Sequence, residues 1–148
     1  MADQEGYRVP DVCRVVGITY RQLDYWARTG LVTPSVRDAG GSGTQRLYSF
    51  QDLLVLKTIK QLLDTGVSLQ KVRPAIEYLR EEGRPLSGVT LMSDGKRIFL
   101  CESSDQVFDL LQRGQGVFGI ALDRVQSDLE RSVRKERGAR ASARAGGT

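Results

Sequence analysis

The stretch from Thr19 to Leu31 constrains the fold of this chain more than any other. Thr19 is followed three residues later by Gln22, which is the spacing of a capping box, where each side chain accepts a hydrogen bond from a free backbone N–H at a helix start. Gly30 suits the end of the same helix. The pattern predicts a helix of about ten residues, and because so short a helix is marginal in water it must be held by neighbouring elements.

This predicted helix has two different faces, since successive residues are about 100° apart around its axis. The apolar side carries Leu23, Trp26 and Ala27. The opposite side carries Arg21, Tyr25 and Arg28. We interpret it as a recognition helix that enters a DNA major groove. Arg21, near the helix start, is the best candidate for a guanine contact, while Tyr25 and Arg28 are better candidates for phosphate contacts.

The segments on either side complete a helix-turn-helix pattern. Pro10 is placed as the first residue of a short helix that ends near Val16, and Gly17 and Ile18 form the turn. Beyond Pro34, the glycine-rich run 36–48 predicts a hairpin with a flexible tip, that is, a wing; an ordinary surface loop is the alternative. Phosphate contacts are predicted on this hairpin for Arg37, Arg46 and Tyr48.

Two further helices and a less regular region follow. Ser49 is expected to cap a helix that runs to about Thr65, and Ser68 to start another that bends at Pro74. Asp94 and Gly95 lie between extended apolar pieces and predict a β-hairpin, which a helix over 103–112 follows. The last long segment has an apolar seam for a partner helix, from the same chain or from a second copy. Its residues are Phe118, Leu122, Val125 and Leu129.

Composition narrows the function. The chain has 148 residues and a formal net charge of +4. Residues 8–60 contain eight Lys/Arg against four Asp/Glu, and the tail from Arg131 has six basic residues and one acid, so the basic surplus lies at the two ends. With two Cys and no His, a structural zinc site and metal sensing are disfavoured, and no cofactor is expected. No leader or membrane-spanning run is evident, so we expect a cytoplasmic, nucleoid-associated protein.

The region from Tyr7 to Val72 resembles the DNA-binding domain of the MerR family of transcription regulators. The motifs are Gly-Leu-Val-x-Pro-x-x-Arg after the recognition helix, Arg-x-Tyr at the end of the wing, Phe-x-x-Asp-Leu, and Gly-x-Ser-Leu between two helices. They correspond to Gly30-Leu31-Val32, Pro34, Arg37, Arg46, Tyr48, Phe50, Asp52-Leu53, Gly66 and Ser68-Leu69. Asp24 departs from the pattern, because family members commonly carry Arg there. It either accepts a cytosine amino group or, as we favour, pairs with Arg21 or Arg28.

The expected fold is therefore mostly α with small β-hairpins: a disordered segment 1–6, a winged helix-turn-helix domain over 7–84, a small α+β dimerisation or effector region over 86–137, and a disordered basic tail over 138–148. The resemblance implies a regulator that binds pseudo-palindromic promoter double-stranded DNA as a homodimer, with RNA polymerase as a further partner. The alternatives are an architectural or low-specificity DNA-binding module, or a protein-docking adaptor. An enzyme is disfavoured because no nucleophile has a partner base and no phosphate loop is present.

Overall fold

In the N-terminal half, the helices of the computed structural model begin and end near the predicted capping residues and glycines. The structure describes residues 6–37, 45–81, 88–94, 96–112 and 118–146. The chain divides into two units, one formed by Met1–Leu54 with Gln126–Thr148 and the other by Val55–Val125. In chain order the elements are β1 (Tyr7–Arg8), α1 (Val9–Val16), α2 (Tyr20–Arg28), β2 (Leu47–Tyr48), α3 (Phe50–Asp64), α4 (Leu69–Glu81), β3 (Thr90–Ser93), β4 (Ile98–Cys101), α5 (Ser104–Gln112), β5 (Phe118–Ala121) and α6 (Leu122–Gly146).

In the first unit, α1 and α2 form the predicted helical pair with a tight turn between them. Gly17 takes the left-handed conformation, with φ of 83°, so the chain reverses with backbone N–H groups of Gly17 and Ile18 both donating to the Cys13 carbonyl. The apolar faces of both helices are buried. The buried side chains of this part are Val12, Val15, Val16, Ile18, Leu23 and Trp26.

The segment after α2 is tied to the start of α3 by one buried carboxylate. Asp52 accepts hydrogen bonds from the Ser35 N–H at 2.8 Å, the Ser35 hydroxyl at 2.7 Å and the Ser49 N–H at 2.9 Å. In return, Ser49 Oγ accepts from the Asp52 N–H at 3.1 Å, which is a capping-box exchange. The predicted cap at Ser49 is confirmed, and its partner also holds the chain that leaves α2.

The later part of α6 belongs to the first unit through side-chain contacts. Arg14 Nε donates to Glu136 at 2.6 Å, and Arg14 Nη2 donates to Asp11 at 2.7 Å. Arg137 donates to the Tyr7 hydroxyl at 3.0 Å, with its guanidinium carbon 5.2 Å from the Tyr7 ring centre. The bounds of these units differ from those of the predicted domains 7–84 and 86–137, which stay a prediction. The backbone is also helical through 138–146, where a disordered tail was predicted, because the Ala- and Arg-rich sequence favours helix.

In the second unit, α3 and α4 each bury an apolar face. The buried side chains include Leu56, Ile59, Leu62, Val72, Ile76 and Leu79. Pro74 lies inside α4, which is a single helix over Leu69–Glu81, and the predicted bend at Pro74 stays a prediction. Gly66, with φ of 98°, supplies the left-handed residue that ends α3.

The second unit also contains a three-stranded antiparallel sheet in the order β4-β3-β5. The predicted hairpin of β3 and β4 is confirmed, with Leu91 opposite Leu100 and Met92 opposite Phe99. Strand β5 was not predicted, because the sequence from Phe118 was interpreted as the start of the last helix. It pairs Gly119 with Met92 of β3. A Cβ at position 119 would lie 2.6 Å from Met92 Sδ, so glycine permits this pairing.

Candidate DNA interface

Helix α2 is fixed at its start by the predicted capping box. Gln22 N–H donates to Thr19 Oγ1 at 3.1 Å, and Thr19 N–H donates to Gln22 Oε1 at 3.0 Å. At the other end, Leu31 N–H donates to the Trp26 carbonyl at 2.9 Å, and Gly30 is left-handed with φ of 76°. Both ends of this short helix are therefore hydrogen-bonded, which sets the direction of its outward face.

The two faces of α2 are separated as predicted. Leu23 and Trp26 are only 1% and 3% exposed, so the core assignment of Trp26 is confirmed. Arg21, Tyr25 and Arg28 are all exposed. The helix thus presents one aromatic and two cationic side chains to solvent while its apolar side holds it in the unit.

Asp24 organises the charges beside this face. One carboxylate oxygen accepts from Arg28 Nε at 2.9 Å, and the other accepts from Arg46 Nη1 at 2.8 Å. The hydrogen bond from Arg46, followed by that from Arg28, holds the pKa of the Asp24 carboxyl below its usual value. The sequence predicted that Asp24 pairs with Arg21 or Arg28, and the pair with Arg28 is confirmed. The second partner of Asp24 is Arg46, and the structure shows no ion pair between Asp24 and Arg21. Asp24 therefore orients two guanidinium groups.

The two arms of the candidate wing pair with each other. Leu47 N–H donates to the Arg37 carbonyl at 2.8 Å, and Arg37 N–H donates to the Leu47 carbonyl at 3.1 Å. The exposed Arg37 side chain donates from Nε to the Gln45 carbonyl at 2.9 Å. The predicted flexible tip, residues 38–44, lies outside the described residues. The positions of Arg37 and Arg46 are therefore known only from the two paired arms.

The structure contradicts the phosphate contact that was predicted for Tyr48. Its side chain is fully buried, at 0% exposure, and its strand β2 pairs with β1, where Tyr7 lies opposite Tyr48. A phosphate contact needs an exposed hydroxyl, so the structure assigns Tyr48 to the core. The sequence was misleading because a tyrosine beside a cationic arm is equally compatible with an inward-facing strand position.

Tyr20 is an exposed residue that the sequence reasoning missed. It is the first residue of α2 and is 63% exposed, next to Arg21. Helical spacing places it three residues before the buried Leu23, which suggests the core side. In the first turn, however, the core does not extend to cover it, so its ring is exposed.

The residues of the predicted dimerisation seam are divided between the two units. Leu122 and Val125 are buried in the second unit, and Leu129 is buried in the first. Phe118 lies in β5 rather than on the helix. Leu122, Val125 and Leu129 are thus buried within the single chain, and the role of the seam in joining two copies stays a prediction.

Metal-binding clusters and membrane-spanning helices are both absent from the described residues. No cluster of three or more His, Cys, Asp or Glu side chains that could hold a metal ion was found there. Among the same residues, no helix combines the length and the apolar character needed to cross a membrane.

A tight pair of short helices, the second with a capped start and an exposed cationic and aromatic face, defines a helix-turn-helix protein of the DNA-binding class. The family model described as "MerR HTH family regulatory protein" matches residues 7–79. Residues 7–79 are therefore a helix-turn-helix domain of the MerR family, as the sequence motifs predicted.

Individual relatives agree with this membership. An uncharacterized HTH-type transcriptional regulator of Mycobacterium tuberculosis is 56% identical over 137 residues, which cover 92% of this chain and 61% of that protein. The HTH-type transcriptional regulator HmrR of Sinorhizobium medicae is 26% identical over 81 residues, covering 55% of this chain and 53% of that one. Nodulation protein NolA of Bradyrhizobium elkanii is 31% identical over 71 residues, covering 48% and 31%. The chain spans about three fifths of the length of the mycobacterial relative.

Proposed function

We propose that this protein is a sequence-specific transcription regulator of the MerR type, which binds pseudo-palindromic promoter DNA as a homodimer. The observation that carries the proposal is the outward face of α2, where Arg21 and Arg28 flank Tyr25 on a helix capped at its start. A helix of this length fits a major groove, and Arg is the side chain that most often reads guanine there.

Arg21 is the residue we assign to base reading. It lies in the first turn of α2, and the structure gives its exposed side chain no ion pair with any described residue. Recognition helices contact base edges with their N-terminal residues, so position and freedom both favour this role. Its planar guanidinium can donate two parallel hydrogen bonds to O6 and N7 of guanine.

Phosphate contacts are assigned to the groups that Asp24 or the backbone already orients. Arg28 and Arg46 each donate one hydrogen bond to Asp24. Arg28 is the more exposed of the two, with 64% of its side chain exposed against 18% for Arg46, so Arg28 is the better placed for phosphate. Arg37 is exposed on the arm of the candidate wing. Tyr25 supplies a hydroxyl donor on the helix between them. Such contacts fix the register of the helix and carry little sequence information by themselves.

The homodimer is proposed because one short recognition helix buries too little surface for a tight specific site. Two copies related by a two-fold axis would read two half-sites, which is why a pseudo-palindrome is expected. The seam of Phe118, Leu122, Val125 and Leu129 is our candidate for the region that joins the two copies. The remaining partners follow from this role: promoter DNA and RNA polymerase, with the protein located on the nucleoid in the cytoplasm.

The alternatives are a DNA-coating or architectural module and a protein-docking adaptor on the same fold. Selection of genomic fragments by the purified full chain, followed by fluorescence anisotropy on the selected site and on random DNA, separates them. A regulator prefers its site by about a thousandfold or more, whereas a coating module shows no such preference and an adaptor binds neither. Sedimentation velocity on the complex should show two chains per site; one chain per site would contradict the dimer.

The residue assignments have their own test in the same assay. Arg21→Ala should cost about 1–3 kcal/mol on the selected site and little on random DNA. Arg37→Ala should weaken both DNAs alike and lower the salt slope by about one unit. Arg124→Ala, which removes an equally exposed charge from the second unit, is the matched control. Equal losses on both DNAs for Arg21→Ala would refute its role in base reading.

A further inference from the structure

Beyond the proposed DNA contacts, the second unit contains a groove between α4 and the β3–β4 hairpin that no part of that function uses. We propose that it binds a small amphipathic anion, that is, a molecule with an aromatic or aliphatic body and one carboxylate, sulfonate or phosphate group. We call it the amphipathic groove. Its apolar part is lined by Pro74, Ala75, Tyr78, Leu91, Ile98 and Leu100.

The apolar part has the size and lining of a small-molecule site. Its cavity volume is about 590 Å³, within the roughly 300–1,000 Å³ typical of ligand pockets. Tyr78 is 44% exposed beside it, which leaves a large aromatic surface open to an apolar body. Leu91 and Leu100 are paired across the sheet and form the floor, so the groove rests on regular secondary structure. A site of this kind needs little rearrangement to accept a ligand.

A cationic pocket of about 660 Å³ continues from the apolar part, with Lys71 and Arg97 lining both. Lys96 completes the positive charges, and Asp94 is the only acid among its described lining residues. Asp94 is already paired with Arg97, at 3.2 Å between Nη2 and Oδ2. Two lysines therefore remain without an ion pair among the described residues, and the pocket carries a net positive charge that an anionic group would neutralise.

Arg97 is held where the two parts meet. Besides its bond to Asp94, its guanidinium carbon lies 5.3 Å from the centre of the Phe99 ring, a cation–π distance. Backbone N–H groups of Lys96 and Arg97 both donate to Asp94 Oδ1, at 2.9 and 2.7 Å, which fixes the turn that carries these cations. These donors, with the Arg97 side chain, keep the pKa of the Asp94 carboxyl below its usual value. The junction between apolar and cationic parts is thus preorganised, which selects a ligand that has both characters.

An amphipathic anion fits these observations better than a nucleic acid does. The phosphate backbone of DNA would use the lysines but would leave the aromatic and aliphatic lining of the groove unoccupied. A purely apolar ligand would leave the lysines without a counter-charge. Only a molecule that combines both parts uses the whole surface.

The experiment titrates the full chain with two fluorescent probes that differ in one group: anilinonaphthalene sulfonate, and phenylnaphthylamine, which is the same fluorophore without the sulfonate. The charge variant is Lys71→Gln with Lys96→Gln. Its control is Arg124→Gln with Lys135→Gln, which removes two exposed charges outside the groove. Ala75→Leu fills the apolar part and suits a helix. Circular dichroism and urea unfolding confirm that each variant is folded.

We expect the sulfonate probe to bind once per chain. The charge variant should weaken it about tenfold and leave phenylnaphthylamine unchanged, while Ala75→Leu should weaken both probes. The proposal is overturned if the two probes respond alike to the charge variant, if the control has the same effect, or if many probe molecules bind each chain. It is also overturned if the charge variant leaves the sulfonate probe unaffected and weakens only the binding of random duplex DNA.

Discussion

The capping box of α2 gives the sharpest test of how this structure holds the helix that carries the proposed recognition face. Thr19→Ala removes the hydroxyl that accepts from the Gln22 N–H at 3.1 Å, and leaves that donor without its partner at the helix start. Loss of an N-cap threonine costs about 0.5–2 kcal/mol, typically about 1 kcal/mol. Gln22→Ala removes the reciprocal acceptor of the Thr19 N–H at 3.0 Å, and an exposed hydrogen bond of this kind contributes about 0.5–1.5 kcal/mol.

The assay uses a feature of the composition. Trp26 is the only tryptophan in the chain, and it is buried on the core side of α2, so its fluorescence reports unfolding of the element that the cap stabilises. With a urea dependence of about 2 kcal/mol per molar, a loss of about 1 kcal/mol lowers the unfolding midpoint by about 0.5 M. DNA affinity should fall only when the variant becomes partly unfolded, because no contacting side chain is changed.

Thr19→Ser is the matched control, because serine keeps the accepting oxygen and should keep the midpoint. The double variant should lose less than the sum of the two single losses, since both substitutions disrupt one reciprocal exchange. If Thr19→Ala keeps the wild-type midpoint, or if serine destabilises the protein as much as alanine, the cap does not hold α2 and the reasoning fails.

Three further outcomes are expected. Because the Asp24 pKa is depressed, its ion pairs stabilise the fold above the usual carboxyl pKa of 3.8, and this stabilisation is lost as the pH falls through the lower pKa of the folded protein. The difference in urea midpoint between wild type and Asp24→Asn, followed by Trp26 fluorescence, should therefore close in acid, and a constant difference would contradict this. Gly119→Ala should cost about 1 kcal/mol by circular dichroism, since its Cβ would lie 2.6 Å from Met92 Sδ and the flexible Met92 side chain must shift, and it should cost less in a Met92→Ala background; additive losses would disprove the clash. Burial raises the pKa of both thiols, so alkylation should be slow in the native chain and slower at Cys101 than at the less buried Cys13; equal native and denatured rates would refute this.

Local patterns explain which parts of the fold were predictable. The Thr19–Gln22 cap, the tight turn at Gly17 and the hairpin at Asp94 depend on residues that are close together in the sequence, and each was predicted. The Asp24–Arg28 pair has the same origin, since residues four apart on a helix are neighbours. Short-range geometry is fixed by the covalent chain, so a single sequence is enough to infer it.

The features that were missed depend on contacts between distant residues. Arg46 reaches Asp24 across 22 positions, and β5 exists because it pairs with β3 rather than because its own sequence demands a strand. Tyr48 was placed on the surface for a similar reason: nothing near it in sequence indicates that Tyr7 lies opposite it. Tertiary context decides such positions and overrides local propensity.

Asp24 shows how one nonlocal contact changes the interpretation of a whole site. Considered alone, an acid on the recognition helix would repel phosphate and weaken the proposed DNA contacts. With Arg28 and Arg46 both bonded to it, the three groups together carry one net positive charge, and two long side chains are already held in place. Their ordering entropy is then partly lost on folding instead of on binding. The acid that departs from the family pattern can therefore act as an anchor for the cations around it, which leaves Arg21 as the least restrained cation of the face.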